Sequence, residues 1–66
     1  MNRKTVKFLD LLFKEMYDSF NDKDRKLIHI GYTEILGFCE ALYSSEIITD
    51  NAYMIYTGEA FRVYSI

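Results

Sequence analysis

Along residues 3–20 apolar side chains return every three or four positions: Phe8, Leu9, Leu12, Phe13, Met16, Tyr17 and Phe20. That spacing gathers them on one broad face of an amphipathic helix. Lys7, Asp10, Lys14 and Asp18 line the opposite face. Asp10–Lys14 and Lys14–Asp18 stand at i,i+4, where an ion pair adds a few tenths of a kcal/mol. One residue breaks the pattern: Leu11 points to the charged side, among Lys4, Lys7, Glu15 and Asp18.

The polar stretch Asn21–Asp22–Lys23–Asp24 predicts a short turn, with Asn21 or Asp22 capping a second helix and Asp24 favouring its positive end. A calcium loop would need more oxygen ligands in a fixed register and a glycine turn. The second helix is predicted from about Lys23 to Tyr43 or Ser44. Leu27, Ile28, Tyr32, Ile35, Leu36, Phe38, Cys39, Leu42 and Tyr43 form its apolar face. It contains two glycines, and each costs roughly 1 kcal/mol relative to Ala in a helix interior. Gly31 lies within the apolar face, which implies a close approach by another helix. Gly37 lies elsewhere, on a strip with Ile30, Glu34 and Ala41 on the nominal solvent side.

Residues 44–51 read as the next break, with Thr49 as a helix cap and Asp50 and Asn51 in a first turn. Residues 50–64 then read as a third helix, with Tyr53, Tyr56, Ala60, Val63 and Tyr64 on one stripe. Met54, Ile55 and Phe61 fall outside it, so this helix is expected to be apolar on more than one side. The tail has a rival reading. It is rich in Tyr, Ile, Val, Phe and Thr around Thr57–Gly58–Glu59, which is also the composition of a β-hairpin. The stretch ALYSSEIITDNAY (Ala41–Tyr53) favours the helix. It resembles a short module of small bacterial and phage proteins, in which a helix end is followed by G-x-I-T-x-x-E-Y opening another helix. Glu46 stands where Gly is usual and Ala52 where an acid is usual. The resemblance implies a helix–loop–helix and no activity. The expected fold is therefore a single all-α domain over 1–66, a small three-helix bundle, with two helices plus a C-terminal β-hairpin as the alternative.

Composition sharpens this picture. A core of 66 residues is marginal, and small natural domains usually add disulfides, a metal or a partner. Cys39 is the only cysteine and His29 the only histidine, so neither an intrachain disulfide nor a structural zinc site can form. Half of the chain is hydrophobic and 17% is aromatic. A chain this small cannot bury so many large side chains, which implies a surface that meets a partner. No run of about 20 apolar residues predicts a membrane span, and a lone free cysteine fits a reducing cytoplasm. The first 26 residues carry seven Lys/Arg against five Asp/Glu, whereas Arg62 is the only Lys/Arg in the rest. Nucleic acid is therefore an unfavoured partner. Residues with AT-rich codons (Phe, Tyr, Met, Ile, Asn, Lys) far outnumber Gly, Ala, Arg and Pro, which suggests an AT-rich genome such as that of a low-GC bacterium or its phages.

Catalytic chemistry finds no footing in the pattern. His29 and Cys39 lie ten residues apart on one helix, about 15 Å along its axis, too far to pair as base and nucleophile. Cys39 belongs to the apolar face and His29 to the surface. The carboxylates sit beside Lys or Arg on solvated helix faces. No Gly-rich loop follows a strand to cradle a phosphate, and no cofactor is expected. The sequence thus points to a non-catalytic regulator or inhibitor that occupies a surface of a protein partner, as a homodimer or in a hetero-complex. A compact helix-turn-helix or winged DNA-binding regulator is the alternative. The residues expected to meet the partner are Leu11, Ile30, Gly37, Ala41, Met54 and Phe61.

Overall fold

A computed structural model describes all 66 residues. The chain forms three helices and no strand: α1 (Arg3–Asn21), α2 (Arg25–Ser44) and α3 (Asp50–Ser65). The β-hairpin alternative for the tail is overturned. Thr49 caps α3 by accepting from the Ala52 N–H at 3.1 Å. Gly58 sits mid-helix at an ordinary negative φ and makes no turn. Aromatic and β-branched residues there pack against α2, and tertiary burial overrides their strand preference.

Each helix begins at a side-chain cap. Asn2 accepts from the Thr5 N–H at 2.9 Å, and Asp24 accepts from the Leu27 N–H at 3.1 Å. The expectation that Asn21 or Asp22 caps α2 is corrected: Asn21 closes α1, Asp22 is its C-cap, and Asp24 starts α2. The reason lies one residue further on. Lys23 adopts a left-handed φ of 58°. Its N–H then reaches the Phe20 carbonyl, and the Asp24 N–H reaches that of Ser19, both at 3.0 Å. This is a Schellman ending, and it ties up the last carbonyls of α1. The end of α2 repeats it. Glu46 has φ 58°, with Glu46 N–H on Tyr43 O at 3.0 Å and Ile47 N–H on Leu42 O at 2.9 Å. Glu46 occupies the position where the resembling module carries glycine, and the left-handed backbone explains that preference.

The core is a seam of Leu9, Leu12, Met16, Ile28, Ile35, Cys39, Ala60 and Val63. The central helix, α2, packs against both neighbours, while α1 and α3 meet only weakly. Two contacts set the antiparallel register of α1 and α2. Phe8 lies edge-on to Phe38 with ring centroids 4.9 Å apart, and Met16 packs over Gly31. A Cβ placed on Gly31 meets Met16 Cβ at 3.5 Å, ordinary van der Waals contact. The helices do approach closely there, but a methyl fits, so the glycine is not demanded by packing. Against α3, Tyr32 stacks on Tyr64 with centroids 4.4 Å apart, and Tyr43 meets Tyr53 at 4.8 Å.

Candidate functional site

With α1 and α3 splayed on α2, a cleft of about 490 Å³ opens between them. Phe13 and Tyr56 meet across it with centroids 6.4 Å apart. Tyr17, Ile55 and Glu59 line it with them, and Asp10, Lys14 and Asp18 run along the α1 wall. The helical period explains the composition. The apolar face of α1 is broader than one neighbour can cover, so Phe13 and Tyr17 reach past α2 toward α3. On α3 the same period turns Ile55 off the α2-facing stripe, and it stays 59% exposed.

One polar link closes this cleft at its end. The Tyr17 hydroxyl donates to Glu59 Oε2, and Arg62 donates to the same carboxylate twice, through Nε at 2.7 Å and Nη2 at 3.0 Å. The Arg62 guanidinium, followed by the Tyr17 hydrogen bond, holds the Glu59 carboxyl down at about 2. The same hydrogen bond raises the Tyr17 phenol above its ordinary value. Glu59 therefore stays ionised and Tyr17 protonated across neutral pH, and neither is free to move a proton. Burial raises the Cys39 thiol, which opposes the thiolate needed for nucleophilic chemistry. No three His, Cys, Asp or Glu side chains converge as metal ligands.

The six residues expected to meet a partner are all exposed, and they divide between two surfaces. Leu11 of α1 is 48% exposed, as is Ile30 of α2. Ile30 shares a shallow groove with Glu15 and Asp18 of α1 and with Glu34 of α2. Gly37 has nothing within 4 Å of where a Cβ would stand, and Ala41 continues its strip. These four lie on the outer face of the α1–α2 pair, turned away from α3. Met54 and Phe61 stand on the outer side of α3, 69% and 55% exposed, with Phe61 beside Tyr32 at 6.3 Å.

Sequence reasoning did not assign Phe13, Tyr17, Tyr56 and Glu59 to a surface, because their spacing marks them as core or solvated face. The available signal was Ile55, which falls outside the α3 stripe. No helix is long and apolar enough to cross a membrane. No protein family, no curated protein and no solved structure matches this chain.

Proposed function

We propose that this chain is a non-catalytic binding protein, a regulator or inhibitor that acts by occupying a surface of a larger protein. The observation that carries the reading is the exposure of three large apolar side chains on α3: Ile55 in the wall of the aromatic cleft, and Met54 and Phe61 on the outer side of the helix. Large side chains left in water at this density favour a protein partner, and the apolar cleft beside Ile55 suits helix-in-groove or loop-in-groove recognition. The AT-rich composition favours a phage or mobile-element setting, and we place the protein in the cytoplasm with a host enzyme or defence system as its target.

A DNA-binding role draws less support. Arg62, the only Lys or Arg after Lys26, is engaged by Glu59, so α3 offers no free cation to phosphate. Gel shifts at two salt concentrations would reveal such a role, since phosphate-dominated binding weakens steeply with salt.

The test of the main reading is crosslinking in native host cells with a photoreactive residue at position 54. One dominant protein adduct is expected, and Ile55→Glu should abolish it while leaving the circular dichroism spectrum unchanged. A ladder of minor adducts indifferent to Ile55→Glu refutes the reading.

A further inference from the structure

The outer face of the α1–α2 pair carries two patterns that become meaningful together. On α1, the exposed residues Lys4, Lys7, Leu11, Glu15 and Asp18 are spaced 3, 4, 4 and 3, so they share one narrow strip of the helix. The strip is antisymmetric in charge about Leu11: two cations on the N-terminal side, two carboxylates on the C-terminal side. A strip of this kind is complementary to itself when turned end over end. In an antiparallel pairing with Leu11 on the two-fold axis, Lys4 and Lys7 of each copy face Glu15 and Asp18 of the other.

The second pattern lies on α2. Ile30, Glu34, Gly37 and Ala41 are spaced 4, 3 and 4, with the large residues toward the N-terminus and the small ones toward the C-terminus. The strip is antisymmetric in size about a point between Ile35 and Leu36. The same reversal sets Ile30 against Ala41 and Glu34 against Gly37, a large side chain over a small one each time. Gly37 is open to approach, with nothing within 4 Å of a Cβ position.

The two centres coincide. Phe8 beside Phe38 and Met16 beside Gly31 fix the register of α1 on α2. That register sets Leu11 level with the Ile35–Leu36 midpoint. The groove shared by Glu15 and Asp18 with Ile30 and Glu34 shows that both strips look out on the same side. One two-fold axis therefore satisfies the charge pattern of α1 and the size pattern of α2 at once. We infer that this face is an isologous homodimer interface, with a second copy of the chain as its occupant.

The parts have different tasks. Exposed ion pairs contribute little each, and in the free chain Asp18 is held only by Lys14 at 3.4 Å on the surface. The charges set direction and register, while Leu11 and Ile30 supply the apolar burial. A standard interface takes about 800 Å² from each copy. Two adjacent helices of 19 and 20 residues, each about 30 Å long, present a face of that order. The inference is independent of the partner reading above, which uses α3 and the cleft.

Charge reversal on the full-length chain tests it. Lys4→Glu with Lys7→Glu makes the α1 strip wholly acidic; Glu15→Lys with Asp18→Lys makes it wholly basic. Sedimentation equilibrium should show a concentration-dependent dimer for the native chain. Each double variant should self-associate about tenfold or more weakly, because like charges then face each other. An equimolar mixture of the two should form a heterodimer, and the quadruple variant should recover the homodimer. Leu11→Asp should abolish the dimer with helicity unchanged, whereas Ile55→Glu should leave it intact. A native chain that stays monomeric up to hundreds of micromolar overturns the inference. So does a dimer that survives either double variant, or two double variants that fail to pair.

Discussion

The two sides of α1 use charge in opposite ways. On the side facing the cleft, Tyr17 reaches across to α3, and its acceptor Glu59 is already neutralised by Arg62. That one network ties α1 to α3 at one end of the cleft, and its carboxylate is satisfied within the chain. On the outer side, Lys4, Lys7 and Glu15 have no partner on another helix, and Asp18 has only the surface contact with Lys14. A satisfied network rigidifies the molecule that contains it. An unsatisfied one with a regular sign pattern describes the surface that would satisfy it. One side of α1 thus tethers a neighbouring helix, and the other is suited to association.

The strongest way to break the comparison is to remove the point where both sides meet. Met16 is fully buried and packs over Gly31 at the α1–α2 seam. Met16→Ala should destabilise by about 2–5 kcal/mol, the range for emptying a large apolar core site. Chemical denaturation of this variant should show the loss. A change below about 1 kcal/mol would mean that the seam is not the core.

Gly31→Ala and Gly37→Ala distinguish the seam from the outer face. Both should stabilise the monomer by up to about 1 kcal/mol through helix propensity. Space exists for both methyls, in contact with Met16 at position 31 and in the open at position 37. Their effects on self-association should differ: only Gly37→Ala puts a methyl where the second copy approaches. Equal dimer constants for the two variants would contradict the placement of Gly37 at the interface.

Glu46→Gly, at a left-handed C-terminal position, should stabilise by about 0.5–1 kcal/mol through relief of Cβ strain. It lies on neither side of α1 and should leave association unchanged.

The smallest effect belongs to the cleft lock. Tyr17→Phe removes the hydroxyl but keeps the ring, and at this exposed site it should cost less than about 1 kcal/mol. The pH dependence has a defined sign. Glu59 titrates lower in the folded chain, about 2, than its ordinary 4.5. Its contribution is complete above pH 4.5 and is lost as pH falls from there through about 2. Acid titration of the native chain and of Tyr17→Phe, followed by thermal melts, should show a shallower loss in the variant, because one of the two bonds lowering Glu59 is gone.

Local chemistry alone determined the three helices. The 3.6-residue recurrence of Leu9, Leu12 and Met16, the Thr49 cap and the buried place of Cys39 all depend on neighbours within a turn or two. The start of α2 was misplaced from the sequence because Asp22, Asp24 and Asn21 are equally good caps. Only the left-handed turn at Lys23 makes Asp24 the one that is used. Leu11 and the Ile30–Gly37–Ala41 strip were also legible, as residues off the expected face of their own helix. Their relation to each other was not, because it depends on how far α1 is slid along α2. That offset is set by Phe8 on Phe38 and Met16 on Gly31, contacts between residues far apart in the chain. The cleft likewise exists only because α2 takes both neighbours and leaves α1 and α3 apart. Helical periodicity tells which side of a helix is apolar, but the angle and offset between helices come from side-chain packing, and those two quantities created both surfaces.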